Sequence, residues 1–176
     1  MDDAIYEHIG KVATEWSYLE ERLKTAVELL ASYGLERIHE PCRILVAGMA
    51  FDAQLEVLKT FLTIGPMADP EELQWVKRWA GDVKQSQAKR NIVVHSAWVY
   101  DEESEEPTAL AVDARSRRAR MGLNLDAFPD GIDGLPALID RIRELQGEMG
   151  TWTQLQFLRY WPTTDSVFPA GWPKPA

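Results

Sequence analysis

The chain has 176 residues, of which 45% are hydrophobic and 27% charged, with 19 basic against 28 acidic side chains and a net charge of −9. That length fits one domain with a substantial core, and the acidic balance argues against a dedicated, nonspecific nucleic-acid binder while leaving room for a localised basic groove. No apolar run reaches the roughly 18 residues that a membrane span needs. The acidic start Met1-Asp2-Asp3 predicts no signal or transit peptide. Cys42 is the only cysteine, so it cannot form an intramolecular disulfide or head a thiolate metal cluster. A reducing, cytoplasmic setting and no membrane partner are expected.

The first apolar pattern predicts a helix over 4–32. Ile5, Ile9, Val12, Trp16, Leu19, Leu23, Ala26 and Leu30 recur at alternating spacings of four and three, a heptad stripe. Asp2 or Asp3 can cap its start and Gly34 its end. A second helix is expected over 41–64, opened by Pro41 and striped by Ile44, Gly48, Phe51, Leu55, Leu58 and Leu62. Gly48 weakens it locally and permits another backbone to come close. Gly65-Pro66 stops it, and Asp69-Pro70 caps and opens a third helix over 70–95.

That third stripe begins Leu73, Val76, Ala80 and Val83, then continues as Gln87, Arg90 and Val94. Its inward face turns polar in the last two turns. A charge on a core-facing stripe is costly without a partner, so something is expected to face Arg90. Glu20, at the edge of the first stripe, is one candidate; an exposed glutamate on a helix flank is the plainer reading.

A β insertion is expected over 97–125, with short strands at 97–100, 108–112 and 121–125 around an acidic turn at 101–107. Arg115, Arg117, Arg118 and Arg120 crowd into six positions there. They are the best local candidates for phosphate contacts, set against a solvated loop that balances the acidic turn. Asp133 caps a last helix over 134–160, striped by Leu135, Leu138, Ile142, Leu145, Met149 and Trp152, with Gly147 and Gly150 as points where it can bend. The tail 162–176 is proline-rich. The expected fold is one mainly α domain spanning 1–176: a four-helix up-down bundle with a small β-hairpin insertion between helices three and four. Trp75 and Trp79 read as core or dimer packing before they read as stacking platforms for bases.

Asn91 and His95 share a helix face, about 40° apart and about 6 Å along the axis, whereas Arg90 and His95 differ by about 140°. One ligand reaches both only near the helix end or across a symmetric pair. Arg90-Asn91-x-x-x-His95, late in the third helix of a bundle whose first helix carries Trp16, Leu19 and Glu20, resembles the signature of the HEPN superfamily of helical domains. That resemblance covers roughly 4–98 and, more loosely, the last helix. It implies a homodimer and a metal-independent endoribonuclease with a composite site, needing no cofactor. Carried over, Arg90 would neutralise the scissile phosphate, His95 would move protons, and Asn91 would orient one or the other, with Glu20 and Gln87 supporting. A toxin–antitoxin or defence role, with a protein antitoxin as partner, is the biological setting it suggests. The alternative is a non-catalytic helical module for dimerisation or for binding a protein or nucleotide.

Overall fold

The computed structural model describes residues 3–33, 40–64, 69–95, 97–100, 107–110 and 134–160, and of residues 3–4, 97–100 and 107–110 the backbone alone. The protein is mainly α-helical, with α1 Asp3–Ala31, α2 Glu40–Ala47, α3 Phe51–Phe61, α4 Pro70–His95 and α5 Gly134–Tyr160. Among the described residues no helix is long and apolar enough to cross a membrane.

The heptad stripe of α1 is the centre of the packing. Ile5, Val12, Trp16, Leu19, Leu23, Ala26 and Leu30 are all buried, and α1 contacts every other helix. Each such side chain taken from water contributes about 1.5–3 kcal/mol before entropy is counted. The α5 stripe is equally well placed, since Leu135, Leu138, Ile142, Leu145, Met149 and Trp152 are buried. α5 also runs unbroken through Gly147 and Gly150. Gly150 lies 3.5 Å, measured from the position a Cβ would take, from the Arg22 guanidinium.

Cross-helix contacts fix the directions. Glu15 meets Arg143 and Gln146, Arg22 lies over Gly150, and Tyr33 packs edge-on to Tyr160 with ring centroids 5.0 Å apart. Helices α1 and α5 therefore run parallel. Arg141 pairs with Asp82 at 2.7 Å, and Gln156 donates to Glu72 at 2.9 Å. Helix α4 thus runs antiparallel to α5.

The expected second helix is two helices. Cys42 lies against the Ala31 carbonyl and Arg43 near Glu28, while Phe51 packs against Trp16, the rings tilted by 49° with centroids 5.3 Å apart. The chain therefore descends along α1 in α2. It reverses at Gly48-Met49-Ala50, where Ala50 is extended (φ −65°, ψ 152°). It then returns in α3, whose C-terminal end meets Asp69 through the Asp69 N–H and the Leu62 carbonyl at 3.3 Å. The physical reason is that Ile44 does not continue the α3 stripe: it is 67% exposed, and Val46 is the α2 residue that enters the core. Gly48 brings no other backbone close, its nearest neighbour being the Leu45 carbonyl at 3.8 Å. Its role is to end α2. The Gln54 amide bridges the elbow, donating to Met49 O at 3.1 Å and Val46 O at 3.4 Å.

Helix α4 starts as its sequence asks. Asp69 Oδ1 accepts the Glu71 and Glu72 N–H groups at 2.9 and 3.1 Å, with Pro70 between. After α4, Ala97–Tyr100 (β1) and Pro107–Leu110 (β2) pair antiparallel, Ala97 opposite Leu110. The rest of the expected 97–125 insertion, with the third strand and Arg115, Arg117, Arg118 and Arg120, lies outside the described residues, as do the caps Gly34 and Asp133 and the 162–176 tail.

Burial pushes the Glu15 carboxyl up, but the Gln146 amide and the Arg143 guanidinium outweigh it, so it titrates below the ordinary carboxylate range. Stability from a depressed carboxylate is present above its unfolded-state pKa and is lost as pH falls through the folded value. Because Arg143 is 51% exposed, its share is discounted. Glu15→Gln should cost about 0.5–1 kcal/mol at neutral pH. Urea unfolding across a pH series should show the gap to wild type closing as the medium becomes acidic.

Candidate functional site

The last two turns of α4 set out the three signature side chains. The core-facing positions there are Ser86, 4% exposed, and Val93, fully buried. Gln87 and Arg90 flank that line half-buried, and Asn91 and His95 are exposed. The buried line is therefore turned by one residue from the expected Gln87–Arg90–Val94 stripe. The turn lets the Arg90 stem pack while its head reaches water.

The arginine spans the azimuth that separates it from histidine. Arg90 Nη1 donates to Asn91 Oδ1 at 3.0 Å and meets His95 Nε2 at 3.3 Å. A guanidinium has no lone pair, so in this contact Nε2 is the acceptor and the ring proton sits on Nδ1. His95 is the final residue of α4, which frees its ring from any following turn. The three residues thus form one exposed polar group at the helix end.

Arg90 carries an uncompensated charge. Among the described residues no carboxylate oxygen comes within 4.0 Å of it, and its Nε is buried without a hydrogen-bond partner. The Glu20–Arg90 pair is not formed. Glu20 instead accepts the Trp16 indole N–H at 2.7 Å, because that indole lies one turn away on the same helix. Glu20 lines a small cavity of about 260 Å³ at the α2–α3 elbow with Lys24, Met49 and Gln54. Gln87 sits one turn before Arg90 on the same flank. Arg115, Arg117, Arg118 and Arg120 lie outside the described residues. Among the described residues no three His, Cys, Asp or Glu side chains gather as a metal site would.

The pairing of Trp79 with Leu145 and of Asp82 with Arg141 gives the α4–α5 register. Extended downward, it puts Arg90 level with the start of α5. Extended upward, it leads to a feature the apolar stripes do not mark, a trench between the first turns of α4 and the last turns of α5. Trp79 is buried and donates to the Leu145 carbonyl at 3.1 Å. The Trp75 ring runs near-parallel to those of Trp79 and Trp152, at centroid distances of 6.4 and 5.8 Å. The signal available in sequence was Gln156, which follows Met149 and Trp152 on the inward stripe and is 3% exposed.

Compared with known proteins, the chain matches no family model, no curated protein and no solved structure. The case for a function therefore rests on the residues and their geometry.

Because His95 is exposed, His95→Ala should leave the melting temperature within about 1 °C of wild type. Arg90→Ala, which removes a half-buried stem, should lower it by several degrees, about 1–2 kcal/mol. Differential scanning calorimetry of both variants checks this.

Proposed function

We propose that the protein is a HEPN-like, metal-independent endoribonuclease whose site is the Arg90–Asn91–His95 group at the end of α4. The observation that carries the reading is a guanidinium that touches an exposed imidazole and, among the described residues, has no carboxylate near it. Such a charge is satisfied by a bound anion, and a phosphodiester matches the planar fork of arginine. Phosphate binding at Arg90 would draw the guanidinium off His95 Nε2 and free that lone pair to act as a base. The ribose 2′-oxygen then attacks phosphorus as its proton passes to imidazole. The P–O5′ bond breaks and the leaving 5′-oxygen takes a proton, giving a 2′,3′-cyclic phosphate and a 5′-hydroxyl. Asn91 orients the arginine through its Oδ1.

In this reading two protomers pack these helix ends together, so one supplies the base and the other the acid. Arg115, Arg117, Arg118 and Arg120, which lie outside the described residues, are the further candidates for phosphate contacts in this reading. A second reading has one observation in its favour. The Arg90–His95 contact occupies the lone pair that a base needs, which suits a binding module that holds RNA or a protein such as an antitoxin without cutting.

RNA incubated with the full chain in EDTA separates the two. Cleavage to cyclic-phosphate ends is expected, with His95→Ala slower by about 100-fold or more. Arg90→Lys should also be slower, since a point charge does not replace the fork. Equal cleavage by His95→Ala, or cleavage abolished by EDTA, contradicts the nuclease; RNA retained but uncut supports the binding module.

A further inference from the structure

The α4–α5 trench is a second site, about 22 Å along α4 from Arg90 at 1.5 Å per residue. We infer that it binds an organic cation: a flat apolar body carrying the N–H donors of an amidinium, guanidinium or ammonium group.

The trench has a volume of about 820 Å³ and is open to solvent, within the range of small-molecule sites. Its floor is aromatic, formed by the near-parallel indoles of Trp75 and Trp152, inclined by 15°. Indole faces attract cations held against them. Its rim is acidic, with Glu71, Glu72 and Glu148 around the guanidinium of Arg159, Glu148 also meeting Arg141 Nη1 at 3.4 Å. The Arg159 guanidinium is already engaged by Glu72 at 2.9 Å and Asp69 at 3.7 Å.

The independent observation is a set of buried polar atoms without partners. Gln156, 3% exposed, gives its Nε2–H to Glu72 Oε1, which leaves Gln156 Oε1 and Glu72 Oε2 both buried and unmatched. Trp152, 7% exposed, holds an unmatched Nε1–H beside them. The large majority of buried polar atoms in folded proteins are satisfied, and three of the five unmatched ones among the described residues belong to residues that line this trench. Two of these three are acceptors, and one belongs to a carboxylate. A ligand bringing N–H donors and a positive charge meets both; an anion meets neither and is repelled by the rim. A neutral amide would satisfy the bonds but not the charge.

The test is isothermal titration of the full chain with three isosteric probes, benzamidine, benzamide and benzoate. Saturable binding of benzamidine at one site is expected, about tenfold tighter than benzamide, with benzoate undetected. Glu72→Gln should weaken benzamidine about tenfold, and Trp75→Leu should weaken it while leaving helicity unchanged. No saturation by benzamidine at millimolar concentration, or equal affinity for the three probes, overturns the proposal without reference to any variant. So does affinity unchanged in Glu72→Gln. Self-association of the chain that benzamidine disperses would assign the trench to a second copy and overturn it as well. None of these outcomes bears on RNA cleavage at Arg90.

Discussion

Everything in this molecule depends on one apolar seam. The stripe from Ile5 to Leu30 leaves α1 with no face free of neighbours except its polar back. Helices α3, α4 and α5 bury apolar stripes in the core built on it, and α2 adds Val46. Removing a large side chain from the middle of that seam, such as Trp16 or Leu23, would open a cavity shared by several helices. Losses of several kcal/mol are ordinary for such a site.

The two proposed sites lie toward the ends of the bundle, where this seam gives way to polar residues. Along its middle, α4 spends its inward positions on Val76, Trp79, Ala80 and Val83. Only after Val83 does the inward line admit Ser86, and beside it Arg90 emerges. At the opposite end, the last turns of α5 replace aliphatic residues with Thr153 and Gln156. The two polar regions are different in kind. Among the described residues, the Arg90 end holds a guanidinium with no carboxylate beside it, its Nε buried without a hydrogen-bond partner; the trench is lined by three glutamates and one arginine.

The sequence revealed much of this where periodicity was unbroken. The stripes of α1 and α5 lie in the core, except that Ile9 is only partly buried, and Asp69-Pro70 opens α4 through the cap its chemistry requires. The second helix was misread because Ile44, Gly48 and Phe51 keep the heptad spacing across a reversal of the chain. Spacing along the sequence carries no information on direction, and only the exposure of Ile44 reveals the turn. The Arg90 group was visible as a break in the apolar pattern. Its internal geometry was not, since a long flexible side chain can span an azimuth that a helical wheel treats as fixed. Glu20, by its place at the stripe edge, is a candidate partner for Arg90 or an exposed glutamate on a helix flank; it is exposed, and Trp16 on its own helix is the donor that it meets. The trench was hidden because it is made by two helix faces whose residues lie 84 positions apart at the Glu72–Gln156 bond.

The central claim is that Arg90 is held open for a phosphodiester. Its Nε–H, buried and without a partner, is a direct reporter. In a ¹⁵N-edited spectrum, with the Arg90 Nε resonance assigned by its loss in Arg90→Lys, the chain is titrated with a 2′-O-methyl oligonucleotide that binds but cannot be cut. The account predicts a saturable shift of that resonance, with the His95 ring resonances moving in step as the guanidinium leaves Nε2. An Arg90 resonance that stays fixed while the oligonucleotide binds elsewhere would contradict it.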